Sequence, residues 1–524
     1  MNTVTKLLKN TLYLTLAEMS APFISVLLVV YISRMLGTEG LGEYATITAF
    51  LFFFEKLAQL GLHHLIVRDV AANKTQAGVF LTTAIMIGIA SSVLVLGVLY
   101  VILQAMAYPV SINAGLGILS LSLVFFVLTD YAQSFLEGRQ RMELRSLATI
   151  LEAVLRVGLG LLAIYLGYGL FGLIFALLLT RILICALYFL MLFRVGIRPA
   201  KQFDRRLAFS LLKQTVTFLL TSVITTTYWK IDVIMLAKMK GTDQVGYYSA
   251  AYRLMEIMKG LSYSYISALF PLLASSFAAS LVSFQRKCAL SIRYLFMLTF
   301  PIALGVTVLA DPIIALIYGQ DFAASADMLR GLIWTICFFP IAMIYARALV
   351  ASKNQRLDLL CNVIAMLTNV GLNLVLIPRY SQLGAVMATL ISIVVFLLAQ
   401  QYFVSRLLFA IPLSSALLKP LFAGALMGAL TYVLREQNLF FRHRRFCRGL
   451  SRPLIAVEYF FRRREGHVSH GLAAESQTRR AARITARRRI CSAGILPASF
   501  APLLRGEVCA TSANKIYEIK EPVY

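Results

Sequence analysis

The chain has 524 residues, 59% of them hydrophobic, and a mean hydropathy of +0.78. Soluble domains hold about 45–50% apolar residues, so a water-facing globule is excluded and a lipid bilayer is the solvent that suits this composition. The net charge of +26 points towards a nucleic-acid partner only until its distribution is read: across the first 436 positions most Lys and Arg residues stand in short gaps between apolar runs, which is a topology signal.

In chain order, residues 1–10 carry Lys6 and Lys9, and the apolar run that follows is long enough to span and has no small-residue cleavage pattern. It reads as a retained first helix rather than a signal peptide. Apolar runs then predict spans near 12–34, 44–66, 77–104, 114–136, 148–167, 170–193, 209–237, 245–272, 288–310, 327–350, 357–378 and 383–409, with a shorter thirteenth at 417–434. Pro22, Pro271, Pro301 and Pro340 fall inside spans, where neighbouring helices can satisfy the freed carbonyls. With the N-terminus cytoplasmic, alternate gaps hold about 21 Lys and Arg inside against about 4 outside. The inner gap at Arg194, Arg198, Lys201, Arg205, Arg206 and Lys213 is the richest. A shifted helix count would scramble that alternation, so count and orientation support each other.

The chain repeats itself. Residues 37–45 read GTEGLGEYA and residues 241–249 read GTDQVGYYS, an offset of 204 that also aligns Arg34 with Lys238. A second echo pairs 157–172 with 370–385, at an offset near 213. Both offsets cover six helices, an even number, so the halves share one orientation and a substrate path is expected between them. The expected fold is an all-α membrane protein of 12–13 transmembrane helices in two parallel-repeat six-helix bundles, residues 1–200 and 201–410. Residues 411–436 form a possible thirteenth helix.

The stretch Arg34-Met-Leu-Gly37-Thr-Glu39-Gly40-Leu-Gly42-Glu-Tyr44 resembles the signature after the first helix of bacterial polysaccharide and O-antigen unit flippases. These form the oligosaccharide branch of the superfamily that also holds the multidrug and toxin extrusion (MATE) transporters. Asp232-Val-Ile-Met-Leu, Val245 to Arg253 and Ile317-Tyr-Gly-Gln-Asp-Phe carry the resemblance onward, to about residue 434. It implies a MATE-like fold, alternating access, and export of an isoprenoid-diphosphate-linked oligosaccharide across a bacterial inner membrane, with polysaccharide polymerase and chain-length proteins as partners. Beyond residue 435 it fails. Residues 437–524 hold 15 Arg against 2 Lys, and the apolar patch 455–461 is too short to span. That tail is expected to be a disordered replacement of the usual ending, from a frameshift or, in the other reading, an RNA- or lipid-binding extension.

Ionisable residues inside spans are costly and face a cavity or one another. Span 8 carries Arg253, Glu256 and Lys259 at steps of three, on one helix face. Span 2 carries Glu55 and Lys56, with Glu55 the counterpart of Lys259 by the 204 offset, and span 7 adds Lys230 and Asp232. These seven are the substrate-cavity candidates, because a diphosphate headgroup needs Arg forks and Lys point charges to leave water. Glu152 and Arg156 are one turn apart and read as a local pair. Glu18, Asp130, Arg181 and Arg330 are further ionisable residues in spans, and Asp311, Asp321 and Asp327 read as solvated. His63 and His64 sit at the inner end of span 2, where an interfacial position explains them better than a metal.

Seven scattered cysteines form no CxxC pair and suggest neither zinc nor redox chemistry. Walker, GxSxG and HExxH patterns are absent from the sequence, so no enzyme, cofactor or ATP-driven pump is expected. An H+ or Na+ gradient is left as the drive, with the ion open. The runner-up is a multidrug or organic-cation antiporter on the same scaffold. A membrane polymerase or glycosyltransferase would need a large outer loop or a soluble domain.

Overall fold

The computed structural model describes residues 3–72, 77–106 and 108–411 and a few helical positions between 418 and 428, with side chains from Ser20 onward except at 21 and 22. The expectations for a thirteenth helix and for the tail 437–524 lie outside the described residues. The described secondary structure is wholly helical: α1 (Thr3–Gln59), α2 (Leu62–Ala72), α3 (Ala77–Met106), α4 (Val110–Ser120), α5 (Ser122–Gly138), α6 (Met142–Tyr165), α7 (Gly169–Arg194), α8 (Arg205–Lys240), α9 (Thr242–Ala279), α10 (Leu281–Val308), α11 (Ala310–Ile317), α12 (Ser325–Leu332), α13 (Thr335–Ala351), α14 (Gln355–Tyr380) and α15 (Gln382–Leu407). Among the described residues eleven helical stretches are long and apolar enough to cross a bilayer. The first of them is interrupted: Gly37, at φ 69° and ψ −164°, breaks α1 into arms 3–36 and 38–59. Each arm exceeds the roughly 20 residues a crossing needs, which brings the count to the twelve spans expected. α3 shows what the composition is for: Val93, Leu94 and Val101 are all at least 60% exposed, an arrangement that lipid tolerates and water does not.

The repeat is visible in the backbone. Gly241, between α8 and α9, takes φ 90° and ψ 173°, the same glycine-only geometry as its counterpart Gly37. The second offset also recurs as a turn. Gln140 (φ 57°) and Lys353 (φ 65°) are both left-handed. After each, the next amide reaches back to a helix carbonyl, Arg141 N to Leu136 O at 2.9 Å and Asn354 N to Leu349 O at 2.8 Å.

The first half is knit by α1 on α6, α6 on α7, α5 on α7 and α2 on α5; the second by α14 on α15, α8 on α14, α10 on α13 and α13 on both α9 and α15. Between them run α1 against α9 and α1 against α8. The α1–α9 crossing is a reciprocal backbone interlock. A Cβ on Gly42 would lie 1.8 Å from the Thr242 carbonyl oxygen, and one on Gly246 would lie 2.1 Å from that of Thr38. Gly42 and Gly246 are repeat counterparts, as are Thr38 and Thr242. Thr38 Oγ1 donates to Asp243 Oδ1 at 2.8 Å, and Arg34 donates to the last carbonyls of α11, Leu316 O at 2.6 Å and Ile317 O at 3.1 Å. A guanidinium there satisfies orphan carbonyls and opposes the helix dipole.

The halves differ at the end of the second span. Leu60 (φ 54°) and Gly61 (φ 70°) end α1, whereas the matching stretch of the second half lies inside the unbroken α9. Span 2 therefore stops at Gln59, not at 66 as expected, and His63 and His64 belong to α2, an eleven-residue helix too short to cross.

Candidate functional site

A cavity of about 410 Å³ lies between the halves, within the range of small-molecule sites. Its charged lining is Glu55, Glu152, Arg156 and Arg181 from the first half and Lys230, Arg253 and Glu256 from the second, interleaved with Tyr44, Phe52 and Tyr252. Four cations face three carboxylates, and every carboxylate is held. Arg181 bridges Glu55 at 2.9 Å and Glu152 at 3.1 Å, and Glu152 also takes Arg156 at 2.5 Å. Across the cavity Glu256 takes Arg253 at 2.8 Å and Lys230 at 3.4 Å. Aromatic faces finish the cation shells: Arg181 lies 5.0 Å from the Phe126 centroid and Lys230 5.2 Å from that of Tyr252. The Arg253 Nε is buried and has no hydrogen-bond partner.

Four of the seven candidates from the sequence line this cavity: Glu55, Lys230, Arg253 and Glu256. Three do not. Lys259 is 7% exposed, with its ammonium 4.9 Å from the Trp229 centroid and 5.4 Å from that of Phe339. Three-residue steps keep residues on one face only loosely, since 3.6 residues complete a turn, and by Lys259 the helix has rotated into aromatic packing. Lys56 hydrogen-bonds Gln59 at 3.1 Å and lies near Phe52 and Phe126. Asp232 is buried outside the cavity lining: its Oδ2 accepts from Tyr248 at 2.6 Å and from Thr389 at 3.1 Å, and its Oδ1 has no hydrogen-bond partner. The expected matching of Glu55 with Lys259 therefore fails in space.

Arg181 and the Glu152–Arg156 pair were not among the candidates. The i,i+4 bond exists as expected, but Arg181 draws it into the cavity wall. The available signal was only that three ionisable residues fell in spans 5 and 6. Arg330 and its partners Asp311 and Asp327 form a separate cluster. Those two aspartates are more than 60% exposed, in keeping with their solvated reading.

Two related helical halves around a charged intramembrane chamber define a polytopic carrier. The solved structures it resembles are of that class. A lipid II flippase MurJ in an inward closed conformation superposes with a TM-score of 0.73 at 18% identity, covering 86% of this chain and 99% of the other. A MATE multidrug transporter in an inward-facing conformation gives 0.61 at 16% identity, covering 75% and 98%. By sequence the chain is 23% identical over 395 residues to the probable low-salt glycan biosynthesis flippase Agl15 of Haloferax volcanii, covering 74% of this chain and 81% of that one. A 121-residue stretch is 30% identical to the probable lipid II flippase MurJ of Haemophilus influenzae, covering 22% of this chain and 24% of that one. Residues 218–375 match the MatE family. Residues 7–277, just over half the chain, match the family described as polysaccharide biosynthesis protein, and the chain belongs to it.

Proposed function

We infer that this protein flips a lipid-linked oligosaccharide from one leaflet to the other by alternating access, with the isoprenoid diphosphate as its handle. The observation that carries the reading is the cavity wall, where Arg156, Arg181, Lys230 and Arg253 are preorganised on carboxylates and face a chamber shared by both halves. An entering diphosphate shares these cations with their carboxylates, taking donors such as the unpartnered Arg253 Nε, so no charge stands unpaired in low dielectric, which is the costly state. Arg guanidinium forks bind phosphate oxygens in pairs, and Lys230 adds a point charge. Headgroup contacts made from both halves favour one arrangement of the halves over the other, which carriage requires.

The relatives described as flippases support the same reading. The cavity favours it over an organic-cation antiporter, because four cations outnumber three carboxylates. The finer setting follows the sequence: a bacterial inner membrane, a cytoplasmic N-terminus, and delivery of O-antigen or related units to a polymerase and its chain-length partners. With that orientation the Gly42–Gly246 interlock lies towards the outer face.

The test is translocation of a fluorescent isoprenoid-diphosphate sugar by the full chain in liposomes. Arg253→Ala is expected to insert normally and to lower the rate at least tenfold, the loss of about 1.4 kcal/mol of headgroup interaction or more. Normal transport by that variant removes Arg253 from the site. Movement of cationic dyes and no lipid by the intact chain replaces the reading with the antiporter.

A further inference from the structure

Away from the cavity, the break at Leu60–Gly61 sets His63 of α2 among polar side chains of α5. Nδ1 lies 2.8 Å from Ser134 Oγ and 3.3 Å from Asp130 Oδ1, and Nε2 lies 3.3 Å from Glu137 Oε2. Acceptors face both ring nitrogens. With its hydroxyl proton on the Asp130 carbonyl at 2.8 Å, Ser134 accepts from Nδ1–H, and the Asp130 carboxylate is a second acceptor there. Glu137 is an acceptor facing Nε2. A hydrogen on either ring nitrogen therefore finds an acceptor, and the imidazolium is the form these partners favour. Among the described residues no group of three His, Cys, Asp or Glu side chains is placed to hold a metal, so the proton is the ligand this constellation fits.

We propose that His63, Asp130, Ser134 and Glu137 form a proton site, separate from the headgroup cavity, whose occupancy clamps α2 to α5 and whose emptying frees α2 to swing about Leu60–Gly61. The surrounding groups are consistent with one exchangeable charge. Arg145 of α6 pairs with Glu137 at 3.2 Å and Gln133 donates to it at 3.0 Å. On α2, His64 stacks near Phe218 of α8 and Arg68 reaches Gln214 of α8 at 3.0 Å. Lys56 precedes the break, and Tyr131 of α5 holds the Gln59 carbonyl at 3.1 Å. Gly61 makes the approach to α8 possible, since a Cβ there would lie 2.6 Å from Phe218 Cβ. Burial opposes charge on His63, but the hydrogen bonds to Asp130 and Glu137 outweigh it and raise its pKa from 6.5 to about 10. Away from α5 the ring returns towards 6.5, so the clamp is fully held below about 6.5 and is lost as pH rises through 10. Because α2 touches α8, a proton taken or released here shifts the balance between arrangements of the halves.

The decisive experiment needs no substrate. Amide exchange over residues 60–72 of the full chain in detergent, corrected for intrinsic rate, is followed from pH 6.5 to 9. The wild type is expected to open about tenfold more per pH unit. His63→Gln is expected to open readily and without pH dependence, and His63→Lys, a fixed cation, to stay protected throughout. A flat wild-type profile, or a His63→Gln profile that keeps the slope, overturns the site. A second arm rests on the flippase reading: an imposed pH gradient should accelerate lipid translocation by the wild type and not by His63→Gln. If no lipid moves at all, that reading fails while the exchange result still judges the proton site.

Discussion

Arg181 is the residue on which the first-half wall depends. It satisfies both Glu55, whose side chain is 5% exposed, and Glu152, so removing it strands Glu55 in a nearly dry site and leaves Glu152 with Arg156 alone. Breaking a buried pair from one side costs about 3–5 kcal/mol, while neutralising both partners costs far less. Arg181→Met is therefore expected to lower the melting temperature in detergent sharply, and Glu55→Gln in the same chain to restore much of it. If the double variant melts as low as the single, the pair is not the source of the loss. Lys259 makes the opposite case. Its ammonium rests on Trp229 and Phe339, outside the cavity, so Lys259→Met, of similar length, should keep the transport rate within about twofold. A loss as deep as that of Arg253→Ala would return Lys259 to the substrate path.

At the level of elements, glycines decide how closely helices approach. The carbonyl facing Gly42 is backbone, so no rotamer change can relieve an added methyl, and overpacking of this kind costs about 1–3 kcal/mol. Gly42→Ala should therefore destabilise this arrangement measurably in a thermal melt, while Gly97→Ala, which meets nothing within 4 Å, should not. Equal melting of the two variants would mean the interlock carries no energy. Much of this was legible in the sequence. Hydrophobic run length placed the twelve spans, because every crossing must satisfy its backbone internally and so must be long and apolar. The repeated GT-x-x-x-G segments marked both glycine breaks and both interlocking glycines as counterparts. What escaped was orientation about the helix axis. Glu55, Arg253 and Lys259 are all ionisable residues in spans, yet a rotation of a fraction of a turn separates a cavity wall from an aromatic pocket. The Leu60–Gly61 break was also missed, because the apolar run continues through it.

For the whole molecule, the interlock and the cavity must be coupled if the protein works by alternating access. In the proposed orientation the α1–α9 crossing lies towards the outside, and the chamber cannot open there until Gly42 and Gly246 leave the carbonyls of Thr242 and Thr38. Thr38 and Asp243 meet at 2.8 Å across the seam, and the native cysteines among the described residues are all buried, so in a parent with Cys447, Cys491 and Cys509 changed to Ser a new pair can be addressed alone. A chain carrying Thr38→Cys and Asp243→Cys should be joined by a short thiol cross-linker applied from outside. Joining should lower lipid translocation at least about tenfold, because lid opening then gates every turnover, and cleaving the link should restore it. Either cysteine alone should transport as the parent does. The cation contacts are untouched by the link, so headgroup binding measured in detergent should survive it. Full-rate transport through a joined seam would show that the halves do not separate there, and the path would have to be sought elsewhere along the α1–α8 contact.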